Sequence, residues 1–212
     1  MISIDLNKKT GKSFSLIHGS FHEIFKAKQD EGSIKHYLNH YFKIFRTAML
    51  ADTLYEAGRK EIPKEDEGQN EFLALLFESF IFYVRIVYDL STDILQEYSG
   101  ETIKKSYNDL TLKISKKQVK DIDNKLSDDF IIRYLDKFKD LRNIRNSIKR
   151  NSLVSVYVKD KTFFVHVKYY DTETKSYRIL DEELSNVVIL HSALLSILAS
   201  RLKDVVFKNK EK

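Results

Sequence analysis

A mainly α-helical protein is expected here: a bundle of four or five helices with a small antiparallel β-hairpin before the last one. Three observations support this. Only one proline and six glycines interrupt 212 residues, so few breakers oppose helix formation. Apolar residues recur at three- and four-residue steps through most of the chain. Between residues 152 and 180 the period falls to two, as in strands. A chain of this length buries roughly 70% of its unfolded surface, so one core without disulfide staples suffices. Residues 1–212 therefore read as a single domain.

Residues 1–32 read as an N-terminal extension, in which Phe14 and Leu16 alternate with serines as a short strand would. From Ser33 the pattern turns helical. Tyr37, Tyr41, Ile44, Phe45, Ala48 and Met49 form a stripe that runs to Ala57, and Gly58 marks the helix end. Residues 61–69 are a charged loop holding Pro63. A long helix over 70–98 follows, with Gly100 as its stop. It is apolar on most sides and is expected at the centre, while Glu78, Phe82, Arg85 and Asp89 share one face. Residues 101–126 are lysine-rich and predict a shorter helix plus a loop.

Ser127 is a good N-cap for the next helix, with Asp128 and Asp129 in its first turn. That helix runs through Arg145 to Arg150. The hairpin spans 152–180. Val154, Val156 and Val158 make its first strand, Lys159-Asp160-Lys161 the turn and residues 163–169 the second strand, and 177–180 add a short third. Asp181 is the expected N-cap of the last helix, 181–208. The stripe of that helix is Leu184, Val187, Val188, His191, Leu194, Leu195, Leu198 and Leu202.

Composition removes several function classes. With no cysteine there are no disulfides, thiolate metal sites or cysteine nucleophiles. Gly11-Lys12-Ser13 lacks the upstream glycine of a phosphate loop, and neither GxGxxG nor GxSxG occurs. The first fourteen residues lack the apolar core of a signal peptide. The apolar run 72–90 contains Glu78, Arg85 and Asp89, each costing at least ~2.5 kcal/mol at a membrane centre. It reads as a core helix, so a cytoplasmic protein without membrane contact is expected. His18 and His22, like His36 and His40, are four apart, but neither pair carries HExxH. No metal and no cofactor are expected. His166 reads as a solvent-facing strand residue and His191 as a core histidine.

The most informative segment is the helix ending at Arg150. On a wheel of ~100° per residue with Phe130 at zero, its apolar face centres near ~60°. Arg145 falls in the middle of that face, with Arg142 and Lys149 inside it, while Asp136, Asn143 and Ser147 take the opposite side. Residues 133–150 hold seven cations against Asp136 and Asp140, a net of +5 that equals the net charge of the whole chain. A buried cation needs a partner. Two readings compete. In one, Arg145 pairs with Glu78 or Asp89 of the central helix, whose ion-pair candidates include Arg85. In the other, the helix end faces a cleft or a dimer seam and meets phosphate.

The stretch Leu141-Arg142-Asn143-Ile144-Arg145-Asn146-Ser147-Ile148-Lys149-Arg150 resembles the signature helix of the HEPN superfamily. There an Arg, followed by a polar residue such as Asn, precedes a His by four to six positions. Arg145-Asn146 matches the first half, and Arg150 stands where the His would fall. Arg85-Ile86-Val87-Tyr88-Asp89 is similar to the long second helix of many HEPN domains, where an Arg precedes an Asp by four. Some subgroups insert a β-hairpin after the signature helix and close with one apolar helix, the order of residues 153–205. The resemblance thus spans about 33–205.

It implies a HEPN-like helical bundle that forms a homodimer through its signature helices, where Arg and His of both protomers cleave RNA without metal. Arg145 and Asn146 become candidate catalytic residues, and Arg142, Arg145, Lys149 and Arg150 candidate RNA contacts. The His of such a site moves protons while the Arg holds phosphate. Arg150 stays protonated at neutral pH and cannot act as a base. A degenerate motif is therefore implied: a ribonuclease-like, RNA-binding protein of a prokaryotic defence or toxin-type system, with cleavage impaired or absent. The alternative is a non-catalytic dimeric scaffold that holds a protein partner and uses Arg145 as a structural ion-pair residue.

Overall fold

A computed structural model of the chain describes residues 12–29, 34–59, 67–99 and 134–208. The described elements are α1 (Lys12–Gln29), α2 (Ile34–Arg59), α3 (Glu67–Ser99), α4 (Leu135–Lys149), β1 (Val154–Lys159), β2 (Thr162–Asp171), β3 (Ser176–Glu183) and α5 (Leu184–Lys208). The molecule is mainly helical, with a three-stranded antiparallel sheet before the C-terminal helix. The expectations for Ser127 and its first turn, and for the lysine-rich residues 101–126, lie outside the described residues.

The segment of Phe14 and Leu16, whose alternation leaves a short strand open, is part of α1. Phe14, Ile17, Phe21, Ile24 and Phe25 are buried and recur at helical steps, while Leu16 is exposed. The segment read as an extension therefore carries a core helix, which packs on α5 and α2. In α2 the buried stripe is Ile44, Ala48, Ala51, Leu54 and Tyr55. Phe45 and Met49, expected within the stripe, lie exposed with Leu38 and Phe42. Gly58 serves a close approach. A Cβ there would sit 3.1 Å from the Ser185 Cβ and 3.2 Å from its backbone nitrogen.

α3 and α5 form the middle of the bundle. Phe77, Phe80, Ile81, Val84, Val87 and Tyr88 of α3 have no exposed surface, nor do Leu194, Leu195, Leu198 and Leu202 of α5. By length and composition, Leu184–Phe207 is the described helix apolar enough to cross a membrane, and 56% of that window is buried within the protein. α1, α2 and α3 all pack against it, which accounts for its apolar character.

The sheet has the order β1-β2-β3. Asp160 and Lys161, at φ 49° and 60°, make the two-residue turn between β1 and β2, and positive φ at both positions matches the strand twist. Val154, Val156, Phe163, Val165, Val167 and Tyr169 are buried on the inner face. β3 runs through Glu183, so Asp181 is a strand residue and not the cap of α5. At the start of α5 the Glu183 carboxylate accepts from the Ser185 hydroxyl and the Asn186 amide.

Candidate nucleic-acid interface

α4 runs antiparallel to α3. Phe138 near its start meets the Tyr88 ring edge-on at 5.0 Å, and the strand leaving its other end lines a groove with Ala74 and Glu78 of α3. Phe138, Leu141, Ile144 and Ile148 are buried, and so are Asn143 and Ser147. The Tyr170 N–H donates to the Ser147 hydroxyl at 3.0 Å, and the Thr172 hydroxyl donates to the Asn143 Oδ1 at 3.3 Å. The buried face thus centres near ~330°, about a quarter turn from where the wheel put it. The sheet covers the side assigned to solvent. Arg145 is not in the middle of the buried face but at its edge, half-exposed. Arg142 and Asn146 are also half-exposed, and Lys149 and Arg150 are exposed.

Lys139 and Asp140 of α4, with an ion pair between β2 and β3, hold the end of the sheet at the β2–β3 turn. Lys139 pairs with Glu173 at 2.9 Å, and Arg178 pairs with Asp171 at 2.9 Å. Asp140 accepts from the Tyr169 hydroxyl at 3.2 Å. Burial raises the Asp140 pKa above the usual carboxylate range. Burial, with the nearby Asp140 charge, pushes the Tyr169 hydroxyl up to about 12. Asp171 is held below its ordinary value, first by the Glu173 N–H that it accepts. A Schellman turn ends α4. Ser152 N–H reaches the Ser147 carbonyl at 3.0 Å, Asn151 N–H reaches the Ile148 carbonyl at 3.1 Å, and Asn151 takes φ 73°.

Asp89 pairs with Arg85 one turn away on α3, at 2.9 Å. Glu78 lines a groove of about 570 Å³ between α3 and β1, with Glu71, Leu75 and Leu153. Among the described residues no ion pair joins Arg145 to Glu78 or Asp89. The Arg145 Nε is buried and has no hydrogen-bond partner among the described residues.

The histidines lie elsewhere. His191 is 5% exposed, and burial, with Lys137 adding a like charge, lowers its pKa to about 4. It is a neutral core group rather than a solvent-linked proton carrier. His166 faces outward from the sheet, 3.6 Å from Asp181. His18 and His22 stack at 6.1 Å, and the Tyr41 hydroxyl lies 2.5 Å from the His18 Nε2. Among the described residues no group of three or more His, Asp or Glu side chains could hold a metal ion.

One cluster escaped the reading of the sequence. Tyr157, Phe164, Lys168, Tyr170 and Tyr177 come together on the outer face of the sheet. Their alternation with buried residues was the available signal. No family model, no curated protein and no solved structure matches the chain.

Proposed function

We propose that the chain is a HEPN-like, RNA-associated protein of the cytoplasm, serving a prokaryotic defence or toxin-type system and acting as a homodimer. It grips RNA phosphates along the edge of α4 and cleaves RNA poorly or not at all. The observation that carries this is the group of cations that α4 leaves open to solvent: Arg142 and Arg145 half-exposed, Lys149 and Arg150 exposed. Guanidinium and ammonium groups open to solvent can pair with phosphate oxygens through charge-assisted hydrogen bonds. Arg142, Asn146, Lys149 and Arg150 spread from Arg145 across the solvent side of the end of α4. Phosphate contacts from such side chains fix position without reading sequence. Poor cleavage follows from Arg150 at the position of the motif histidine, because a guanidinium cannot take up a proton.

Two assays test this. In EDTA, a mixed RNA pool is expected to stay largely intact with the wild-type chain. In titrations over a salt series, Arg145→Ala is expected to weaken binding evenly across RNA sequences and to reduce the salt slope by about one. The variant should melt close to the wild type. Negligible wild-type affinity at low salt would overturn the reading. A loss of roughly 3–5 kcal/mol of stability in Arg145→Ala would instead mark a structural ion-pair residue and support the scaffold alternative.

A further inference from the structure

We infer that the outer face of the sheet is a second nucleic-acid surface, a stacking platform for single-stranded RNA. The choice of RNA rests on the function proposed above; the surface itself does not.

The register brings Tyr157 opposite Phe164, His166 opposite Asp181, Lys168 opposite Ile179 and Tyr170 opposite Tyr177, all on the outer face. Two ring pairs result. Tyr157 and Phe164 stack at 5.7 Å, and Tyr170 meets Tyr177 edge-to-face at 5.4 Å. The helices cover the opposite face, and this one is open: Tyr177 is 67% exposed and Tyr170 37%. Exposed rings that adjoin one another, unlike single ones, mark contact surfaces.

Counting the turn tips, four lysines of this face stand against four acids, and it is the placement of the lysines over the rings that suits an anion. The Lys168 ammonium lies over the Tyr177 ring at 4.9 Å, and that of Lys159 over Phe164 at 5.5 Å. The acids are engaged within the fold. Asp181 accepts the Tyr157 hydroxyl at 2.7 Å and faces His166, while Glu183 holds Ser185 and Asn186 at the start of α5. The turn tips add Lys161 and Lys175, with Asp160 beside the first and Glu173, paired to Lys139, beside the second. The cations of this face are thus held by rings, the acids by other side chains. A base can slide onto a ring while the ammonium above it turns to the phosphate.

Geometry selects the single strand. Phe164 and Tyr170 are six residues apart on β2, roughly 20 Å at the strand rise, which suits two or three splayed bases. Rings on a sheet cannot reach bases stacked inside a duplex. A second copy meeting this face would have to take both lysines out of water, whereas a phosphate chain pairs with them, so RNA is the better occupant.

The chain has no tryptophan, so Tyr177→Trp installs a single emitter on this face. Titration of this variant with a mixed-sequence single-stranded 20-mer should quench its emission, and the matching duplex should leave it unchanged. In an otherwise wild-type chain, Tyr170→Ala with Tyr177→Ala should weaken single-strand binding about tenfold or more while the melting temperature holds. Emission unmoved by a single strand that does bind, or full affinity in the double variant, would overturn the platform and leave the α4 edge standing. Loss of affinity here with Arg145→Ala unaffected would uphold the platform and overturn the α4 edge. No wild-type affinity for RNA would overturn both. Emission that shifts with protein concentration alone, alongside dimer formation that Tyr177→Ala abolishes, would assign the face to a second copy and also overturn the inference.

Discussion

His191 shows how one side chain sets a pH response. Its Nδ1 has no partner among the described residues, and burial lowers its pKa from 6.5 to about 4, with Lys137 the charged neighbour. A histidine held neutral by folding contributes stability that is fully present above the unfolded pKa. That contribution falls away as the pH drops from 6.5 toward 4. The size expected from the shift is ~3 kcal/mol. Urea unfolding at pH 7 and pH 4.5 should show this loss, and His191→Gln should show much less of it. Asp140, whose pKa burial raises, titrates with the opposite sign, so the comparison of variants isolates the histidine. An unchanged pH slope in His191→Gln would place the response on other groups.

Two glycines within helices show how packing decides the sign of the same substitution. Around Gly19 in α1 an added Cβ meets nothing within 4 Å. Gly19→Ala should therefore raise stability by ~0.5–1 kcal/mol, the helix preference of alanine over glycine. Gly58 in α2 faces the Ser185 backbone nitrogen at 3.2 Å, at the start of α5, where the neighbour cannot move aside cheaply. Gly58→Ala should gain nothing or lose stability, although its intrinsic helix preference is the same. Chemical denaturation of both variants checks the pair, and equal gains would sink the argument. α4 teaches the same lesson. Its hydrophobic wheel was sound for Phe138 and Leu141, yet Asn143 and Ser147 are buried because the sheet offers them hydrogen bonds. A wheel weighs side chains by polarity and cannot see a partner that satisfies them.

The bundle and the sheet share one core that begins at α1. Phe14, Ile17, Phe21, Ile24 and Phe25 are each buried against the bundle. At ~1.5–3 kcal/mol for each such side chain, α1 contributes roughly as much as the ~5–15 kcal/mol stability of a typical domain. A chain starting at residue 30 should lose its cooperative thermal transition and bind hydrophobic dye. A truncated chain that melts sharply near the full-length temperature would show α1 to be dispensable, as an extension would be.

The long helices, the hairpin and the core stripe of α5 were legible in residue order because each depends on local periodicity and on the breakers at its ends. The strand of residues 163–169 and the inward valines of β1 follow from the period of two. So does the outward face of His166. Three features were not legible. Phe14 and Leu16 alternate with serines over too few residues to tell a strand from a helix, and only contact with α5 and α2 decides for the helix. Asp181 looks like a cap, but pairing with His166 across the ladder draws it into β3. The α4 cations were named from the sequence, but that they lie open, like the rings on the outer face of the sheet, depends on which face the sheet covers. That is settled by long-range packing, because burial of a polar or aromatic side chain turns on the partner that meets it and not on its place in the chain.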